Sequence, residues 1–318
     1  MKIGVLTSGG DAPGMNAALR AVVRRGISAG QQVVGIRRGY DGLLDGEIHS
    51  MSMSSVADVI HRGGTILHTA RSERFKQPEG QDLAAARIKG AGIGGLVVIG
   101  GEGSFKGMTE LCRRGIRAIG VPATIDNDIA YTDYSIGFDT AVNTGLEAVN
   151  RLRDTATSHE RIFVVETMGR HSGHLALAVG LAGGAESILI PEKPVEIEEV
   201  CTRLKRGLNR GKVHSIIVVA EGAAKGFDVA RKVQAYIGSE IRVTVLGHVQ
   251  RGGTPTAFDR LLASRLGARA VDALCQGHSN VMAGLSGTGL VLTLMDKVLA
   301  EKKQIDMEVY SLAEDLAR

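Results

Sequence analysis

Eight short apolar runs punctuate the chain, at residues 3–6, 33–36, 96–99, 118–121, 162–165, 187–190, 216–220 and 243–246. Most of them lack strict alternation of apolar and polar positions, which predicts strands covered on both faces. Helix-length segments lie between, at 16–29, 106–114, 140–159, 196–210 and 256–275. Strand and helix in alternation predict an α/β fold built on parallel sheets. Ligands of such sheets bind beyond the carboxyl ends of the strands, so the residues just after each run carry the interest. A length of 318 residues accommodates two domains, with a boundary near 138–140 where a long helix begins.

Composition narrows the classes. The 43 glycines show no three-residue period, which excludes collagen and directs attention to their individual positions. A net charge of +4 is too small and too evenly spread for a nucleic-acid protein, and the expectation is no nucleic-acid partner. No apolar run approaches 18 residues, so no membrane span is expected. Cys112, Cys201 and Cys275 form no metal-type pair and read as reduced, buried thiols, which fits a cytoplasmic protein. The first strand reaches its loop too early for a signal peptide.

Three loops after predicted strands carry candidate chemistry. The first is Thr7-Ser8-Gly9-Gly10-Asp11-Ala12-Pro13-Gly14-Met15-Asn16, which leaves a strand and enters a helix. It is either a phosphate cradle, whose glycines let backbone N–H groups approach an anion, or a tight turn. The second, Gly100-Gly101-Glu102-Gly103-Ser104, sets a carboxylate among glycines. It suits Mg²⁺ with phosphates, or a helix cap in which Ser104 caps the segment from Lys106. The third, Pro122-Ala123-Thr124-Ile125-Asp126-Asn127-Asp128, offers two carboxylates for base and cation roles, or an Asx-turn. Later strand ends carry Met168-Gly169-Arg170-His171-Ser172-Gly173, Glu221-Gly222 and His248-Val249-Gln250-Arg251. With Arg71, Arg161 and Arg242 they would suit a phosphorylated substrate, although each arginine alone is more often a surface charge than a ligand. Together these features point to phosphoryl transfer, in which a protein mainly positions groups and neutralises charge. The shared Arg-Gly-Gly-Thr of 62–65 and 251–254 is expected to be coincidence or convergent loop geometry.

The succession of the first loop, then 100–104, 124–128, 168–170 and 248–253, resembles the bacterial 6-phosphofructokinase family from Lys2 to about Gly277. The resemblance implies two three-layer α/β/α domains with mostly parallel sheets. A nucleotide-binding domain would comprise 1–138 and 251–304, a sugar-phosphate domain 139–250, and a C-terminal helix 305–318. It implies ATP-dependent phosphorylation of fructose 6-phosphate at the committed step of glycolysis, with Mg²⁺ as cofactor. Asp126 would be the catalytic base, with Thr124, Arg71 and Arg170 also in the catalytic set. Gly10, Arg71, Ser72, Gly101, Glu102, Gly103 and Ser104 would hold the nucleotide, and Glu102 the metal. Thr124, Ile125, Met168, Gly169, Arg170, Glu221, His248, Val249, Gln250 and Arg251 would bind the sugar phosphate, joined by Arg161 and Arg242 from a neighbouring subunit of a homotetramer. An effector site for ADP and phosphoenolpyruvate would use Arg20, Arg24, Asp58, Arg153, Gly184, Glu186, Arg210 and Lys212.

Departures from the family pattern are Glu102, where Asp is usual, Ala123 for Gly, Met53 about where some relatives have Arg, and His174 where Asp commonly follows Gly173. The donor follows from size. Pyrophosphate-using members carry Asp at the position of Gly103 and Lys at that of Ala123. Small residues at both leave room for ATP, with pyrophosphate as the alternative.

Overall fold

The computed structural model describes residues 1–317 and divides into two units. Unit one comprises Met1–Thr124, Ile129–Thr140 and Arg251–Lys303; unit two comprises Ile125–Asp128, Ala141–Gln250 and Gln304–Arg318, of which residue 318 is not described.

Unit one opens with β1 (Lys2–Ser8), α1 (Met15–Ser28), β2 (Gln32–Ile36), α2 (Gly39–Asp45), β3 (Ile48–Met51), α3 (Pro78–Gly90), β4 (Gly95–Gly100), α4 (Glu102–Arg113) and β5 (Ala118–Pro122). Unit two follows with α5 (Phe138–His159, whose first turn belongs to unit one), β6 (Ile162–Thr167), α6 (His174–Ala182), β7 (Ser187–Leu189), α7 (Ile197–Asn209), β8 (Ser215–Ala220), α8 (Gly226–Ile237) and β9 (Ile241–Val245). The chain then returns through α9 (Ala257–Cys275), β10 (Val281–Ser286), β11 (Gly289–Leu294) and α10 (Met295–Ala300) to unit one, and ends on α11 (Met307–Leu316) in unit two.

The sheet of unit one has seven strands in the order β11-β10-β5-β4-β1-β2-β3, parallel except at its two outer pairs. Its central strands are buried along their whole length, as their unbroken apolar runs require. One face packs Leu6, Leu96 and Val98 against Phe105, Met108 and Leu111 of α4 and Ile88 of α3. Helices α1 and α9 cover the other face and pack on each other. Unit two carries a parallel four-stranded sheet, β7-β8-β6-β9. Ile162, Val164, Ile217 and Val219 meet Val200 and Leu204 of α7 and Val229 and Val233 of α8. Both units are three-layer α/β/α sandwiches with mostly parallel sheets.

Three local expectations change. Helix α4 begins at Glu102, four residues earlier than predicted, so Ser104 stands inside its first turn and caps nothing. Flexible glycines at the start of that segment conceal helix that tertiary packing imposes. The last predicted strand sits at Ile241–Val245. Of the cysteines, Cys201 is buried, Cys112 half-buried and Cys275 exposed, all as free thiols, so Cys275 is not the buried residue expected.

Candidate active site

On unit one, three loops meet at the carboxyl ends of β1 and β4. The register Ser8↔Gly100 sets the first and second loops side by side. A Cβ on Gly100 would lie 2.5 Å from both the Ser8 carbonyl oxygen and Ser104 Oγ, so only glycine fits there. Ser104 is buried, and its Oγ has no hydrogen-bond partner among the described residues. A hydroxyl desolvated in this way costs free energy unless a ligand completes it. Segment 68–76, which carries Arg71 and Ser72, is tied to the first loop by Thr69 Oγ1 donating to the Gly9 carbonyl at 2.6 Å and Thr7 Oγ1 donating to the His68 carbonyl at 2.8 Å.

A charge network holds that segment from behind. Ser72 Oγ donates to Asp41 Oδ1 at 2.9 Å, and Arg74 pairs with Asp41 at 2.8 Å and Asp45 at 3.0 Å. Arg38 joins Asp41, Asp45 and Glu47. The hydrogen bond from Arg74, with that from Ser72, holds the Asp41 carboxyl below its ordinary range against the opposing effect of burial. Arg71 itself is exposed and makes no ion pair among the described residues. Tyr40 stacks on Phe75 with ring centroids 4.1 Å apart and donates to the Ser104 carbonyl at 2.6 Å.

Arg251, also on unit one, reaches the first loop: its Nη1 donates to the Asp11 carbonyl at 3.2 Å. The two Arg-Gly-Gly-Thr segments abut, since a Cβ on Gly63 would collide with the Gly253 carbonyl. Asn16 braces the earlier one by donating to the Arg62 and Gly64 carbonyls at 2.9 and 2.7 Å. Glu102 is exposed and paired with Lys106 at 2.5 Å, one helical turn on. No group of three or more His, Cys, Asp or Glu side chains converges among the described residues. A lone carboxylate beside a glycine cradle is the donor set Mg²⁺ uses when phosphates supply the remaining ligands.

On unit two, the ends of β6 and β8 carry the second group. Asp126 is buried, and Arg170 Nε stands 3.6 Å from its Oδ2. Ser172 Oγ donates to the Asp126 carbonyl at 3.2 Å. Loop 168–173 is backbone-strained, with φ of 139° at Gly169 and 52° at Arg170, and the Arg170 N–H donates to Glu221 Oε1 at 3.0 Å. A Cβ on Gly222 would collide with the Arg170 carbonyl, so the two loops touch backbone to backbone. Met168 N–H donates to Oε1 of Gln250 at 2.8 Å, and Gln250 is fully buried. Met168 is also buried, Glu221 is half-buried, and His248 and Val249 are exposed.

Arg161 and Arg242 lie elsewhere. They enter β6 and β9 at the amino ends of these strands, and both bind Glu240, at 3.3 and 2.6 Å. Seven residues of extended chain, about 23 Å, separate Arg161 from Met168. Within one chain these arginines therefore do not join loop 168–170. The effector candidates also divide. Arg20, Arg24 and Asp58 are on unit one, and the rest are on unit two. There, buried Glu186 accepts from Lys212 and from the Ile216 N–H, and Arg153 donates to the Gly183 and Gly184 carbonyls. Sequence reasoning missed Asp41, Arg74, Glu240 and the role of α11. Only α11 had a sequence signal, an Asp306 N-cap ahead of apolar positions at helical spacing.

The phosphofructokinase family model matches residues 2–274. The chain is 56% identical over 316 residues to the ATP-dependent 6-phosphofructokinase of Halalkalibacterium halodurans, and 57% identical to that of Natranaerobius thermophilus, covering 99% of each chain. Among solved structures, it overlays phosphofructokinase from Saccharomyces cerevisiae at a TM-score of 0.88 and 36% identity, over 99% of this chain and 48% of that one. A pyrophosphate-dependent phosphofructokinase from Marinobacter aquaeolei matches at a TM-score of 0.85 and 26% identity, over 97% of this chain and 86% of that one. No helix among the described residues is long and apolar enough to cross a membrane.

Proposed function

Because the chain belongs to the phosphofructokinase family, we propose that it transfers the terminal phosphoryl group of ATP to the 1-hydroxyl of fructose 6-phosphate, forming fructose 1,6-bisphosphate and ADP. The observation that carries the reading is buried Asp126 beside Arg170, on a loop held by Ser172. Asp126 takes the proton of the attacking hydroxyl as the new O–P bond forms and the bond to the ADP oxygen breaks. A positioned base contributes roughly 10²–10⁴-fold. Thr124 and Ile125 flank the base. Arg71 neutralises charge on the transferred group, and Arg170 steadies the acceptor side.

Gly10, Ser72, Gly101, Gly103 and Ser104 hold the nucleotide, with the orphaned Ser104 hydroxyl and the glycine backbone as phosphate donors. Glu102, released from Lys106, would hold Mg²⁺, which when bound neutralises the donor's phosphates. Met168, Gly169, Glu221, His248, Val249 and Arg251 bind the sugar phosphate, with Gln250 acting from beneath through Met168. Arg161 and Arg242 serve a neighbouring subunit's site in a homotetramer, which their position at the far ends of their strands supports. Glu186, Arg210, Lys212, Arg153 and Gly184, with Arg20, Arg24 and Asp58, make the effector site for ADP and phosphoenolpyruvate. The protein works in the cytoplasm.

The test is fructose 1,6-bisphosphate formation with Mg²⁺ and either ATP or pyrophosphate. Turnover with ATP alone is the expected result. Turnover with pyrophosphate alone overturns the donor, and none with either overturns the reaction.

A further inference from the structure

The C-terminal helix α11 forms one wall of a cavity on unit two that also contains charged effector residues. The cavity measures about 270 Å³, and its lining includes Glu186, Arg210 and Lys212 together with Ala313, Leu316 and Ala317 of α11. Its lining is therefore mixed in chemistry: two cations and a carboxylate share it with the apolar side chains that α11 contributes. The helix is fastened in place by its own specific contacts. Tyr310 donates to the Ile188 carbonyl at 3.0 Å, and Glu314 Oε1 takes Arg203 at 2.7 Å and Lys193 at 3.1 Å. Lys193 also lies over the Tyr310 ring, 4.9 Å from its centre. Residues 310, 313, 314 and 317 recur at three- and four-residue spacing, so one face of α11 supplies both anchor and wall. Leu316 completes the wall and remains 70% exposed, an apolar side chain at the lip of a charged cavity.

We propose that α11 selects which effector this pocket holds, favouring a nucleoside diphosphate over a small carboxylated phosphate. The inference rests on the effector reading above. Arg210 and Lys212 can take the phosphate of either ligand. A three-carbon anion ends there and gains nothing from an apolar wall. A nucleoside diphosphate extends beyond the cations and rests its base and ribose on Ala313 and Leu316, removing apolar surface from water.

The experiment titrates the full-length protein with ADP and, separately, phosphoenolpyruvate by calorimetry. The effector-site component of each is defined as the part that Lys212→Ala removes, since ADP also binds as a reaction product. Leu316→Ser is expected to weaken that component for ADP about tenfold, the scale of losing much of one leucine's burial. Phosphoenolpyruvate should stay within about twofold, and Leu316→Met should restore ADP binding, because Met keeps the apolar volume. Because Leu316 is exposed, the serine variant leaves the core intact, and an unchanged melting temperature verifies this. Undiminished Lys212-dependent ADP binding in Leu316→Ser overturns the role of α11 alone. Equal weakening of both ligands overturns the selectivity. If Lys212→Ala removes no binding of either ligand, the effector reading itself fails, and the inference with it.

Discussion

The guanidinium of Arg251 occupies the space that any side chain on Gly10 would need: a Cβ there would lie 2.5 Å from Nη1. The family resemblance gives Gly10 to the nucleotide and Arg251 to the sugar phosphate, yet the fold puts them against each other on one unit. The end of a long side chain can move, so Gly10→Ala leaves the fold intact and misplaces Arg251. A displacement of about 1 Å at a reacting centre can cost 10²-fold. We expect kcat/KM for fructose 6-phosphate to fall by about that factor in Gly10→Ala, with thermal unfolding unchanged. Wild-type kinetics in that variant would separate the two residues functionally.

Gly103 offers a cleaner donor test than Ala123. A Cβ on Gly103 meets nothing within 4 Å, whereas Ala123 is buried. Gly103→Asp should therefore fold normally and lose ATP turnover at least about 10²-fold, because its carboxylate would stand beside the phosphates of the nucleotide. Full ATP turnover by a folded Gly103→Asp would remove the size argument for the donor.

Glu240 holds Arg161 and Arg242 together before any phosphate arrives. All three side chains are at least partly exposed, and exposed pairs of this kind are worth little. Glu240→Gln frees both arginines at small cost, and the half-saturating concentration of fructose 6-phosphate should fall by about threefold. A rise would mean that Glu240 aims the arginines instead of occupying them.

Much of this was legible in sequence because fully buried parallel strands leave unbroken apolar runs, as at Val97–Val98 and Ile216–Ala220. The outer strand β3 is only partly buried and leaves no such run, β11 is also partly buried and its run is only Leu290–Leu292, and α6 is apolar all round, which hides its helical period. Among candidate site residues, those on loops that follow strands were visible as motifs. Asp41, Glu240 and Glu314 were not, because each acquires its role only from partners that tertiary folding delivers. Ser104 shows a third case: its residue type is plain in the sequence, but whether it caps a helix or stands inside one depends on where packing starts α4.

Asp259 of α9 joins the start of α5 to the rest of unit one. Its Oδ1 accepts the Gly137 N–H at 2.8 Å, and its Oδ2 accepts both the N–H and the hydroxyl of Thr140, at 2.8 and 2.5 Å. Asp259→Asn sets an NH₂ against one of these donors and should cost about 2–3 kcal/mol, read as a lower melting temperature. Burial raises the carboxyl above its ordinary range, although the bonds from Thr140 and Gly137 oppose this. The folded state then holds the proton to higher pH than the unfolded chain, so this contribution to stability falls as pH rises from about 4 through the folded pKa. The deficit of Asp259→Asn should accordingly be larger at pH 4 than at pH 7. A deficit that grows with pH would reverse the assignment.

The chain order of unit one constrains how the protein is made. Strand β10 lies between β5 and β11, and α9 packs on α1, yet both are synthesised after nearly all of unit two. At roughly 5–20 residues per second, β5 waits on the order of ten seconds on the ribosome for its neighbour, with an unpaired edge and an uncovered α1. The N-terminal segment of this chain therefore cannot complete its domain first, as most proteins do, and all of unit two except α11 leaves the ribosome before unit one can close its sheet.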